Sequence, residues 1–216
     1  MPRPPVRIDT AGLPFVAVAV VPSAVALWFG AAGLAVSLLI LPAGIALFFR
    51  DPDRSSPQDP RLVLAPADGK VMFAGVARAT EAPPGDWRQV TIFLSVLDVH
   101  INRAPASGVV TRVELQRGSF LPAYKPEAHG NERSEIWIDH GGVPIVARQV
   151  VGVLARRVVC RLTPGQVVQP GERIGLMKFG SRMDVFVPLS SELRVRAGES
   201  VRAGVTVIAA LVQGCS

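Results

Sequence analysis

Lys178-Phe179-Gly180-Ser181-Arg182-Met183-Asp184-Val185-Phe186-Val187-Pro188 reads as a turn that delivers the chain into an extended strand. Met183, Val185 and Val187 recur at every second residue, the period of a strand with one buried face. Just upstream, Gln169-Pro170-Gly171-Glu172 is dense in turn formers. Short apolar stretches between Gly and Pro recur through the charged part of the chain. Residues 90–96, 108–115, 135–139, 143–153, 157–162, 183–187, 193–195 and 205–211 all read as strands. No long stretch of that part has helical periodicity. The expected class is mainly β, a curled sandwich or barrel-like domain with few helices. Residues 167–175 and 195–204 echo each other, each with a Val-rich strand, a Gly-Glu turn and another Gly. Biotinyl- and lipoyl-type hybrid folds show such a pattern, and so do two unrelated hairpin turns.

The amino-terminal quarter is different. Residues 10–49 contain no charged side chain. One spanning helix needs about 20 apolar residues, so this run has room for two. Residues 12–29 and 31–49 would be the halves, meeting near Gly30. Arg3 and Arg7 precede the run, and Arg50 and Arg54 follow it. If positive charge marks the cytoplasmic side, both ends are cytoplasmic and the run is a membrane hairpin. Pro14, Pro22 and Pro42 weaken a regular helix and leave a shallow re-entrant hairpin open. The run is too long for a signal peptide and lacks the charged face of an interfacial helix. The expected division is a membrane-associated hairpin over residues 1–50 and a β-rich domain over residues 51–216.

Net charge is +6 with a pI near 10.3. A basic surface beside an apolar segment favours anionic lipid. No nucleic-acid motif is present. The two cysteines, Cys160 and Cys215, argue against a disulfide framework. Cys160 reads as core. The histidines and cysteines show no metal-ligand spacing.

Three blocks carry chemistry. They are Ala65-Pro66-Ala67-Asp68-Gly69-Lys70, the stretch Asp98-Val99-His100-Ile101-Asn102-Arg103-Ala104-Pro105, and Gly180-Ser181. Read alone, Asp68-Gly69 is a turn signal, His100 a strand residue with a satisfied ring, and Gly-Ser nearly uninformative, since Gly118-Ser119 repeats it. In this order, the blocks resemble the short prokaryotic form of phosphatidylserine decarboxylase. Phe48-Phe49-Arg50-Asp51-Pro52 and Asn131-Glu132-Arg133 match that family too, so the resemblance covers roughly residues 45 to 212.

The resemblance implies that Ser181 becomes a covalent pyruvoyl group, the cofactor. Self-cleavage between Gly180 and Ser181 would leave chains 1–180 and 181–216 as a heterodimer. The pyruvoyl carbonyl would form a Schiff base with the substrate amine and serve as electron sink. Phosphatidylserine in an anionic membrane would be the substrate, at the cytoplasmic face of the cell membrane. A homo-oligomer is compatible with this. By resemblance Asp68 activates Ser181, and His100 protonates the carbanion left by decarboxylation. The long bacterial form has a second histidine where this chain has Arg103. The relay role of that histidine does not transfer. Arg103 could hold phosphate or carboxylate instead, with Asn102 as an orienting amide.

Two other classes remain in view. Lys178 in a hairpin would suit a biotinyl or lipoyl carrier, which leaves Gly180-Ser181 unexplained. A membrane-anchored adaptor explains the apolar run and the strands, and leaves the Asp68, His100 and Ser181 blocks to chance.

Overall fold

The computed structural model describes residues 7–78, 81–153, 158–177 and 180–212. It divides into two compact units, one running to Asp53 and one starting at Arg54.

The first unit is helical. Strand β1 (Arg7–Ile8) leads into helix α1 (Leu13–Trp28), followed by α2 (Ala32–Leu38), α3 (Ile40–Phe48) and β2 (Arg50–Asp51). The reversal falls at Gly30, whose φ of +75° suits glycine. Pro14 sits in the first turn of α1, where its missing N–H costs nothing. Pro42 has no N–H for the carbonyl of Leu38, which is where α2 ends. β1 and β2 pair antiparallel, so Arg50 and Asp51 stay with the helices. Residues Thr10–Trp28 are long and apolar enough to cross a membrane, and Ala32–Phe48 form a shorter apolar stretch.

The second unit is mainly β. Its strands are β3 (Leu62–Leu64), β4 (Gly69–Val76), β5 (Trp87–Leu94), β6 (Ile101–Arg103), β7 (Gly108–Gln116), β8 (Arg133–His140), β9 (Val143–Val150) and β10 (Val158–Cys160). They continue as β11 (Val167–Val168), β12 (Arg173–Met177), β13 (Ser181–Pro188), β14 (Glu192–Leu193), β15 (Ser200–Val201) and β16 (Val207–Ala210). Eight form one antiparallel sheet in the order β11-β7-β8-β9-β13-β5-β4-β15. It curls as a half-barrel. Register shifts at residues 71–73 of β4 and 110–112 of β7 add local bend. Two three-stranded sheets, β10-β12-β6 and β14-β16-β3, complete the unit. All three sheets share one core, to which Val63, Ile92, Ile138, Ile174, Val185 and Ile208 belong.

β13 lies between β9 and β5 and is buried on both faces. Met183, Val185 and Val187 face the shared core. Phe186, on the opposite face, packs with Trp87 and Val146. Asp184 shares that second face. Its carboxylate accepts from Thr91 Oγ1 at 2.8 Å and Arg182 Nη2 at 3.0 Å, so the buried charge is compensated.

Candidate active site

Gly180 and Ser181 stand where the chain enters β13. Gly180 has φ +64°, and a Cβ there would meet nothing within 4 Å. Glycine is needed for its left-handed backbone, not for space. Ser181 is fully buried and pairs with Leu94 of β5. By alternation it shares the core-facing side of β13 with Met183. Lys178 and Phe179 lie outside the described residues, and so does the carrier reading of Lys178. Met177 is a buried core residue.

His100 is fully buried. Its backbone carbonyl accepts the N–H of Met177 at 3.2 Å, which ties the start of β6 to the end of β12, close before the Gly-Ser pair. Its Nδ1 lies 2.9 Å from the carbonyl oxygen of Asp98. A carbonyl only accepts, so Nδ1 carries a proton, and in a neutral ring Nε2 would be the basic nitrogen. The Asp98 carboxylate in turn accepts the N–H of Ser95 at 2.7 Å, fixing the loop that presents the ring.

Asn102, also fully buried, accepts at Oδ1 from Gln149 Nε2 at 2.8 Å. Gln149 is opposite Met183 across the β9–β13 ladder, and residues opposite each other share a face. The Gln149–Asn102 bond therefore joins the β10-β12-β6 sheet to the face of the large sheet that Ser181 shares. Asn102 Nδ2 and Gln149 Oε1 have no hydrogen-bond partner among the described residues. Buried amide groups left so cost stability, and such sites are often functional.

Asp68 and Arg103 take other positions. Arg54 grips Asp68 as a fork, Nη1 on Oδ1 at 2.5 Å and Nη2 on Oδ2 at 2.7 Å. The Ala203 N–H adds a third bond to Oδ1 at 2.8 Å. Both side chains are largely buried, 9% and 15% exposed. Asp68 immediately precedes β4, which is two strands from β13 in the order β13-β5-β4. Asp68-Gly69 is not a hairpin turn. A Cβ on Gly69 would stand 2.0 Å from the Phe93 carbonyl oxygen, so glycine permits the close approach of β4 to β5. Arg103 Nη1 donates to the Gly171 carbonyl at 2.9 Å, and its backbone N–H donates to Pro66 O at 2.8 Å. The guanidinium is thus tied to the turn before β12.

A cavity of about 530 Å³ lies beside Asp68, lined also by Lys70, Phe93, Ser95, Asp98 and Arg202. It offers carboxylates and cations together. Asn131 is structural here. Its amide bonds the Leu121 N–H and carbonyl and the Val151 carbonyl, stapling the β7–β8 loop. His129 is exposed, and His140 Nδ1 lies 2.7 Å from the Ser107 carbonyl oxygen.

A family model for phosphatidylserine decarboxylase matches residues 42–209. The chain belongs to the phosphatidylserine decarboxylase family. A phosphatidylserine decarboxylase proenzyme of Nocardia farcinica is 44% identical over 215 residues, covering 94% of this chain and 87% of the relative. That of Magnetococcus marinus is 41% identical over 196 residues, 89% and 88% of the two chains. That of Solibacter usitatus is 37% identical over 204 residues, 94% and 96% of the two chains.

Within this family fold, sequence reasoning missed Arg54. It read as a positive flank of the apolar run. The signal available was Asp68 itself, because a buried carboxylate needs a cation and arginine provides the two-pronged one. Gln149 was missed because one glutamine inside an apolar strand carries no periodic signal.

Proposed function

We propose that the chain is a precursor of a pyruvoyl-dependent phosphatidylserine decarboxylase. It cuts itself between Gly180 and Ser181 and then converts phosphatidylserine to phosphatidylethanolamine. The observation that supports this reading is Ser181, buried at the head of β13 directly after Gly180 at φ +64°, with buried His100 tied through its carbonyl to Met177 shortly before the pair.

Maturation uses this chain's own atoms. Ser181 Oγ attacks the Gly180 carbonyl carbon, the peptide C–N bond breaks, and an ester replaces it. Removal of the Ser181 α-proton breaks the Cβ–Oγ bond and releases Gly180 as a carboxylate. The dehydroalanine left behind tautomerises, and water hydrolyses it to pyruvoyl with loss of ammonia. Serine is a weak nucleophile and needs a base. His100 Nε2 is the basic nitrogen on the same side of the fold. Asp68 serves maturation through position, because its pairing with Arg54 fixes residues 66–68 against the Arg103 N–H.

Position 181 fits a pyruvoyl group, being buried and core-facing. That group would supply the electron sink for loss of carbon dioxide. His100 would return a proton to the substrate carbon. Lys70 and Arg202 would meet the anionic parts of the headgroup in the polar cavity. Arg103 and Asn102 would position the floor of the site. The apolar segment Thr10–Trp28 supports a place at the cell membrane, and Arg7 and Arg50 at the ends of the helical unit support the cytoplasmic face. The domains would then be a membrane hairpin over residues 1–50 and a catalytic domain over residues 51–216, mature as two chains.

Ser181→Ala tests the reading. It should give one uncut chain with no decarboxylation of phosphatidylserine. Cut or active Ser181→Ala protein would end it.

A further inference from the structure

The second unit carries an apolar rim that its core does not use. A depression of about 150 Å³ beside Gly180 is lined by Phe93, Val96, Pro122, Tyr124 and Val153. Three of these are half in water: Val96 at 52%, Tyr124 at 55% and Val153 at 50% exposed. Neighbouring loop tips extend the rim, with Leu97 at 78% and Leu121 at 40%. The five come from three separate loops, after β5, between β7 and β8, and after β9. One exposed Leu needs no explanation, whereas three large apolar groups lining one depression, with two more beside them in sequence, mark an interaction surface. The loops are held in place, by Asp98 on the Ser95 N–H and by Asn131 on Leu121 and Val151.

The flank of the rim says what it meets. An adjoining cavity of about 180 Å³ shares Tyr124 and is lined by Arg78, Lys125 and Arg182. Arg78 is 3.5 Å from Glu81, and Arg182 is paired with Asp184, while Lys125 is exposed. Apolar tips backed by cations fit an acidic bilayer. The tips sink below the headgroups, Tyr124 lies at headgroup level, and Lys125 meets phosphate. A second copy of this chain fits less well, because each copy carries +6 and repels the other.

We propose that Val96, Leu97, Leu121, Tyr124 and Val153 form a membrane-docking rim, through which the second unit dips into an acidic phospholipid surface. The lipid then reaches Gly180-Ser181 without leaving the bilayer. This rests on the lipid-decarboxylase reading above and names the surface that serves it.

The test uses full-length enzyme reconstituted in phosphatidylcholine–phosphatidylserine vesicles. Leu97→Cys, in a Cys160→Ser, Cys215→Ser background, carries an environment-sensitive fluorophore. Lipids spin-labelled near the headgroup should quench it, and aqueous iodide should not. In parallel, Leu97→Ser with Leu121→Ser should lower the rate on vesicle phosphatidylserine on the order of tenfold. Chain cleavage and the rate on soluble short-chain phosphatidylserine should not change. Quenching by iodide but not by lipid overturns the proposal. So does shielding from both, the mark of a protein interface, or an unchanged vesicle rate. Failure of the decarboxylase reading would show differently, as an uncut parent chain inactive on the short-chain substrate, with the lipid quenching unaffected.

Discussion

Asp68 has two bonds from Arg54 and one from the Ala203 N–H, so removing the cation leaves a buried carboxylate half-satisfied. Arg54→Gln should lower stability by about 3 kcal/mol. Arg54→Lys should recover only part of this, because an ammonium cannot form the fork. Thermal unfolding in detergent reads both, and a Gln variant as stable as the parent would remove the pair from the account. His100→Ala, by contrast, should slow decarboxylation at least a hundredfold through loss of the proton donor. A fully active variant would take His100 out of the mechanism. Burial pushes the Cys160 thiol up from its ordinary pKa, against smaller opposing hydrogen bonds to Leu162 and Ser134. A raised thiol pKa keeps the unreactive protonated form at pH 8. Cys160 in a Cys215→Ser background should therefore alkylate more slowly in the native chain than in urea, and equal rates would contradict this.

At the scale of elements, two glycines separate the roles of space and backbone. Gly69→Ala places a methyl 2.0 Å from the Phe93 carbonyl and should break the β4–β5 edge. We expect a loss of more than about 3 kcal/mol, seen as aggregation or a collapsed unfolding midpoint. Gly180→Ala meets no atom, so its cost is the left-handed backbone alone, about 1–2 kcal/mol. It should fold and mature slowly, and maturation at the parent rate would mean that the φ at 180 does no work. The strands legible in the sequence were those with an alternating apolar face. Residues 108–115 and 143–153 became β7 and β9, and residues 183–187 became the centre of β13. β4 was not legible, because Met72, Phe73 and Gly75 blur its alternation. β12 was not picked out as a strand, since Gly175 and a register shift interrupt it.

For the whole molecule, the charge-free run foretold the helical unit and even its reversal at Gly30. The mainly β second unit was equally legible, because Gly and Pro punctuate it. The site was legible only in part. Its residues were found as blocks resembling a family, but pairings such as Arg54–Asp68 and Asn102–Gln149 join distant segments and leave no local pattern. The sequence reading linked Asp68 to Ser181, directly or through a histidine, but carried no sign of the arginine that grips its carboxylate. The most direct measurement is the intact mass of the purified protein under denaturing conditions. The account predicts two chains divided between Gly180 and Ser181, the smaller beginning with a pyruvoyl mass in place of serine. A single full-length chain from an active preparation would contradict it.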